Sequence, residues 1–507
     1  MIKFSCTIHL GKNKFAADDG GMEILMKRES GVLLHISSLP GKYGCGSFGD
    51  GARAFVDVLA EGGFTYWQTL PFCVPDSYFS PYSSASAFSG NPYFVDLGIL
   101  YENGLLTKTE ILLSEERSPY VCEFSRLTRE RMPLLFRAAE RALKDPDIAS
   151  AVDAFMLENP RVAEFCRFMA MREANGNRPW HDWTIDVSDA KTEAGWRFIE
   201  YEFFRQWADI KEYANGKGIK IIGDIPFYVS LDSSDVWGSR EQFLLDSDGR
   251  PEWVAGVPPD YFSEDGQLWG NPLYNWDYMK NDGYSFWRER MQFMLTLFDG
   301  VRIDHFRAIE SYYSIPGEAI SAKNGEWRPG PRMELIDVIK ETAKEKLIIA
   351  EDLGDITDEV RDMLEESGFP GMRVMHFGFL DDSDSLHRPH NYVENCVAYT
   401  GTHDNNTLLG SIWEMPPERR ADLFDYCGCP EDWSSACLDV IRSVMASKAS
   451  IVILPIQDIL GYGADTRMNK PGVADDNWNY RITSDQLRLV DTGFYRRINH
   501  IYGRLPK

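Results

Sequence analysis

The stretch Phe286-Trp-Arg-Glu-Arg-Met-Gln-Phe-Met-Leu-Thr-Leu-Phe-Asp-Gly-Val-Arg-Ile-Asp304 holds the rule by which the whole chain reads. Trp287, Met291, Met294 and Phe298 recur at helical spacing, so residues 286–298 predict an amphipathic helix with one apolar face. An Asp-Gly turn follows, and then the compact run Gly300-Val-Arg-Ile-Asp304, a short buried strand ending in an acid. The same order recurs along the chain. Gly51 to Gly62 leads into Phe64 to Leu70, Trp196 to Gly218 into Ile219 to Asp224, and Glu334 to Lys346 into Leu347 to Glu351. Thr357 to Ser367, with Gly368 as its C-cap, leads into Met372 to Phe377, and Cys437 to Ala449 into Ile451 to Leu454. Adding Val32 to Ser37 and Cys396 to Thr402 makes eight strands.

Helices alternating with fully buried strands imply a parallel sheet with right-handed crossovers, and eight such units close most simply into an α/β (β/α)8 TIM barrel. An open doubly wound sheet is the structural rival. Two connections are unusually long, about 73–195 after the second strand and about 230–284 after the third. We expect them to be large, mainly helical insertions on the C-terminal face, where barrels build their sites. The first 25 residues lack this pattern and are expected to form a poorly ordered N-terminal extension ahead of a catalytic barrel over 26–507.

Composition narrows the function. The 507 residues are 44% hydrophobic and 26% charged, which excludes disordered and fibrous classes. Acidic residues outnumber basic ones by 78 to 53, a formal charge of −25 that disfavours nucleic acid and anionic membrane as partners. No apolar run is long enough for a membrane span. Nine cysteines without framework spacing suggest reduced thiols and a cytoplasmic location, and Cys427-Gly-Cys429 is expected to be structural. Gly44-Cys-Gly-Ser-Phe-Gly49 matches a dinucleotide fingerprint, but Leu39 to Tyr43 separates it from the strand and no acid ends strand two, so it reads as a glycine-rich loop.

Four acids fall at strand ends: Asp224, Asp304, Glu351 and Asp404. One such residue is ordinarily a helix cap; four converging on one barrel mouth point to chemistry. They suit either a divalent-metal site or glycosidic bond cleavage by paired carboxylates. Arg302, two residues before Asp304 and on the same strand face, would compete with a metal and favour an ionised nucleophile, so sugar chemistry is preferred. Aromatics crowd the interval from Trp253 to Trp287. Tyr261, Phe262 and Trp269, beside Gly and Pro, suit an exposed loop that presents flat faces to sugar rings.

Longer motifs then carry a resemblance. They are Ser80-Pro-Tyr82, Ser86 to Pro92, Leu231 to Trp237, Val254 to Ser263, Gly266 to Pro272, Arg302-Ile-Asp-His-Phe-Arg307, Ala350-Glu-Asp-Leu-Gly354, Gly401-Thr-His-Asp-Asn405 and Arg467-Met-Asn469. Over about Gly31 to Arg481 the chain resembles the amylomaltases or disproportionating enzymes, 4-α-glucanotransferases of glycoside hydrolase family 77. The resemblance implies a retaining double displacement on α-1,4-glucans, moving a segment of starch, glycogen or maltooligosaccharide to a sugar acceptor. It implies Asp304 as nucleophile, Glu351 as general acid/base and Asp404 as the acid that steadies the transition state. Arg302, His403, Asp224, His305, Tyr82, Tyr261, Phe262, Trp269 and Asn469 match substrate-binding positions. The mechanism requires no cofactor and no metal. A hydrolase of the α-amylase clan, which shares the three acids, is the alternative.

Overall fold

The computed structural model describes residues 27–506 except 77, 260–263, 381–384, 430–432, 434 and 474. The expected extension at 1–25, and Tyr261 and Phe262, lie outside the described residues. Twelve strands occur among those described: β1 (Glu29–Leu33), β2 (Tyr66–Gln68), β3 (Lys220–Ile225), β4 (Trp253–Val257), β5 (Gln267–Pro272), β6 (Gly300–Ile303), β7 (Ser311–Pro316), β8 (Glu326–Pro329), β9 (Leu347–Ala350), β10 (Gly371–Val374), β11 (Cys396–Tyr399) and β12 (Ile451–Pro455). Eight of them close a parallel barrel in the order β1-β12-β11-β10-β9-β6-β3-β2. These correspond to the eight expected strands, although β2 is shorter than Phe64 to Leu70 and β10 stops at Val374 where Met375–Phe379 forms a 3-10 turn, and the barrel, not the open sheet, is the fold.

The helix–turn–strand rule holds at its source. Helix Ser285–Leu297 buries Trp287, Met291 and Met294, and β6 follows after two residues. Helix Asp358–Ser367 ends on Gly368 at φ 69°, whose N–H donates to Glu365 O. Buried aromatics lock helix Ala190–Gly216 to the barrel wall. Trp207 lies 4.6 Å from the Phe72 ring and 5.7 Å from that of Phe298, and its Nε1 donates to Leu297 O. The glycine-rich loop at 44–49 packs against its own neighbourhood, since a Cβ on Gly46 would lie 1.9 Å from Ile36 O. That close approach needs a glycine there.

Three expectations change. The first strand begins three residues earlier than Val32, because Glu29 pairs with Ile451, while Ile36–Ser38 forms a 3-10 turn. Asp404 does not end a strand; β11 stops at Tyr399, and Asp404 sits in the following loop. The connection from β2 carries helices Leu97–Glu102, Lys108–Leu113, Phe124–Ala142, Pro146–Glu158 and Pro160–Ala174, but the connection from β3 is not mainly helical. Its strands β4 and β5 join β7 and β8, which lie between β6 and β9, in an antiparallel sheet ordered β5-β4-β7-β8. Trp269 read as loop material because β5 is short and the Pro and Gly residues between it and its partner β4 mark a loop.

The seam between β1 and β12 is held at its lower end by Arg504. This fully buried guanidinium donates to the carbonyls of Glu29, Met445, Ser447, Ala449 and Ser450 at 2.9–3.3 Å. Burial lowers its pKa to about 9, still above neutral pH. Arg504→Ala leaves those carbonyls short of donors and should lower stability by about 3 kcal/mol. An unchanged denaturant midpoint in that variant would show that the seam closes without it.

Candidate active site

Barrel register creates the centre of the site. Asp224 on β3 and Arg302 on β6 are register partners in adjacent parallel strands. Arg302 Nη1 donates to both carboxylate oxygens of Asp224, at 2.9 and 2.8 Å, and Nη2 lies 2.8 Å from Asp304 Oδ1. The Tyr82 hydroxyl donates to Asp224 Oδ2 at 2.6 Å. Arg302 and Asp224 are out of contact with water, their side chains being 4% and 0% exposed. Burial would discharge the guanidinium, but Asp224 and Asp304 outweigh it and hold its pKa well above the ordinary value. A cation thus already fills the space between these two acids.

Glu351 sits one residue beyond β9. Its carboxyl accepts the backbone N–H groups of His305 at 2.7 Å and Leu353 at 2.9 Å. Burial pushes its pKa up to about 7, with Asp304 adding to the rise while Arg302 and the two N–H groups oppose it. Neighbouring charge is therefore the smaller cause and desolvation the larger.

His305 occupies the left-handed region at φ 50° and ψ 47°, a strained conformation for a residue with a side chain, and this aims its N–H at Glu351. Burial drives its imidazole pKa down to about 4, so the ring is neutral near pH 7. Its Nε2 is buried without a hydrogen-bond partner among the described residues. The half-exposed Trp269 ring, on β5, stands edge-on to it at 4.9 Å, and Tyr228 lies 6.2 Å from Trp269 and 6.4 Å from His305.

Across the mouth, Asp404 is held on several sides. His403 Nε2 lies 3.2 Å from Oδ2, and Asn469 Nδ2 donates to Oδ1 at 2.5 Å. Arg467 Nη2 donates to the Asp404 carbonyl at 2.6 Å. Burial raises the carboxyl, but the charge and hydrogen bond of His403, with help from Asn469 and Arg302, bring it down to about 2. The His403 imidazole is raised in turn, its loss of hydration being outweighed by Asp404. Tyr82 stacks on the His403 ring at 5.1 Å and 15°, tying this side to Asp224.

The structure therefore brings together Asp304, Glu351, Asp404, Arg302, Asp224, His305, His403, Tyr82, Trp269 and Asn469 in one contiguous network. Sequence reading missed Arg467 as a holder of Asp404, Tyr228 beside Trp269, and Trp478, whose ring lies 5.8 Å from Tyr82 and 5.9 Å from His403. Nothing local marks Trp478. Tyr228, four residues past Asp224 on the mouth side, could have been suspected from its position.

The glycoside hydrolase family 77 sequence family, described as 4-alpha-glucanotransferase, matches residues 34–487. A 4-alpha-glucanotransferase of Clostridium butyricum is 40% identical over 495 residues, covering 93% of this chain and 100% of that protein. One from Streptococcus pneumoniae is 40% identical over 501 residues, covering 94% and 98%. The solved structure of an amylomaltase from Streptococcus agalactiae in complex with acarbose superposes with a TM-score of 0.91 at 39% identity, covering 95% of this chain and 100% of that one. A family match spanning the barrel, with relatives of this identity over nearly their full length, shows that the chain belongs to the 4-α-glucanotransferases of glycoside hydrolase family 77.

Proposed function

We propose that this site moves a segment of an α-1,4-glucan from one chain to the 4-hydroxyl of another sugar through a covalent glycosyl-aspartate. The observation that carries the reading is the contrast between two neighbouring acids. Glu351 is half-buried and desolvation brings its pKa up to about 7, whereas Asp304 is ion-paired to Arg302 at 2.8 Å. Acids set apart in this way divide into a proton donor and a nucleophile. Asp304 attacks the anomeric carbon as its bond to the departing glucan breaks, and Glu351 gives its proton to the leaving oxygen. In the second half the acceptor hydroxyl attacks the same carbon, Asp304 departs, and Glu351 takes the acceptor's proton. Asp404, kept anionic by His403 and Asn469, faces the positive charge that develops on the sugar ring.

The remaining residues bind. Arg302, Asp224, Tyr82, His403 and Asn469 hold the reacting ring, and the unpartnered Nε2 of His305 is available to a sugar hydroxyl. Trp269, with Tyr261 and Phe262 of the same segment, offers apolar faces to glucose rings. The partners are a glucan donor and a sugar acceptor, not nucleic acid or membrane. Among the described residues no helix is long and apolar enough to cross a membrane. The described cysteines are all free thiols, which supports a reducing, cytoplasmic setting.

Transfer and hydrolysis diverge only after the covalent intermediate. Water stands at roughly 55 M, so transfer wins only where a bound acceptor has a high effective concentration. Incubation with pure maltotriose should yield glucose and a ladder of longer glucans, with total reducing ends nearly constant. Rising reducing ends with no product longer than the substrate would make the chain a hydrolase.

The environment of Glu351 also sets a pH profile. A general acid must carry its proton, so kcat/KM should fall on the alkaline side with an apparent pKa near 7, the pKa of this carboxyl. Glu351→Gln should lower turnover by about a thousandfold and abolish that limb. Near-wild-type turnover in this variant, with contamination excluded, would remove Glu351 from the role.

A further inference from the structure

The loop that carries His403 and Asp404 runs from the end of β11 to helix Leu408–Glu414, and a single carboxylate holds both of its ends. Asp458, on the short helix Ile456–Ile459 that follows β12, accepts the Thr400 hydroxyl on Oδ2 at 2.5 Å and the Leu408 N–H on Oδ1 at 2.7 Å. Its side chain is fully buried, and these two groups are the carboxylate's hydrogen-bond partners among the described residues. Burial raises its carboxyl pKa to about 6.

A simple capping role does not account for this residue. The helix that begins at Leu408 is already capped by Thr407, whose hydroxyl accepts the N–H of Gly410. A buried carboxyl is a costly way to satisfy one further N–H. What Asp458 adds is a fixed separation between residues 400 and 408, the two ends of the loop.

Thr400 O also accepts the His376 N–H at 3.2 Å, and the other holders act on the middle of the loop. Asn405 Oδ1 accepts Thr402 N–H and Oγ1, Asn469 N–H donates to His403 O, and Arg467 donates to Asp404 O. Beneath the loop lies a cavity of about 30 Å³, lined in part by His35, Thr402, His403, Asn406 and Asp458.

We infer that Asp458 is a positioning residue for Asp404: by clamping both ends of the 401–407 loop, it fixes where the Asp404 carboxylate meets the reacting sugar. The inference rests on the role given to Asp404 under the proposed function. A displacement of about 1 Å at such a group costs on the order of a hundredfold in rate.

The test compares Asp458→Ala, Asp458→Asn, Thr400→Val and the Asp458→Ala/Thr400→Val pair in maltotriose disproportionation, with thermal melts of each. Asp458→Ala should lower kcat about a hundredfold while KM changes little, since Asp404 acts in the transition state. Asp458→Asn, which retains the shape and one acceptor, should recover part of that loss. The double variant should be no worse than Asp458→Ala alone, because both substitutions open the same clamp. Wild-type kcat in Asp458→Ala and Asp458→Asn, whatever their melting temperatures, would overturn the inference, as would a rise in KM with kcat unchanged. If Asp458→Ala does not fold, Asp458→Asn and Thr400→Val decide, and unaltered kcat in both overturns it. A wild-type chain that does not disproportionate maltotriose would overturn the functional reading first, and this inference with it.

Discussion

A guanidinium buried between two carboxylates organises this molecule. Arg302 has almost no contact with water, and only a close, well-directed anionic shell makes such a cation tolerable. Asp224 supplies two contacts and Asp304 a third, while Tyr82 satisfies the outer oxygen of Asp224. The arrangement depends on the barrel. Residues 224 and 302 are far apart in sequence and meet only because β3 and β6 lie side by side in one register. A shift of one residue would turn Arg302 to the opposite face of the sheet. Correct closure of the barrel and assembly of the site are thus the same event.

Around that cation three acids acquire three different characters. Glu351 is screened from water and rests on two backbone N–H groups, so it can hold a proton near neutral pH. Asp304 shares the guanidinium. Asp404 is surrounded by an imidazole and an amide and stays anionic. The chain places them on two strand ends, those of β6 and β9, and on a loop beyond β11. The loop has no strand ladder of its own, and contacts from Asn405, Arg467, Asn469 and Asp458 hold it.

Much of this was legible in the sequence because its signals are local. A helical stripe, a short turn and a buried strand recur six times, two further strand-like runs complete the eight, and the acids at 224, 304 and 351 mark where three strands reach the mouth. Asp404 was found as an acid but placed on a strand, since Cys396 to Thr400 is strand-like and Gly401, the one local signal that pairing stops, was read through. The β4–β5–β7–β8 sheet was missed because its pairing joins segments from two separate connections. Asp458 was missed for the same reason. Its partners, Thr400 and Leu408, lie more than a strand and a helix away, and a lone aspartate after Pro455 reads as an ordinary helix start. Desolvation, the main cause of the raised Glu351 pKa, likewise belongs to the packed site and not to any stretch of residues.

In the proposed division of labour, Asp304 forms the covalent bond while Glu351 handles the proton. It is tested most directly with Glu351→Ala and α-maltosyl fluoride, a donor whose leaving group departs without an acid. Without the base, the second half of the reaction stalls, and the sugar should remain attached. Proteolysis and mass spectrometry should then find one maltosyl unit on the peptide that contains Asp304. Release of fluoride with no adduct at any turnover stage, or an adduct on Asp404 or Asp224, would contradict the account.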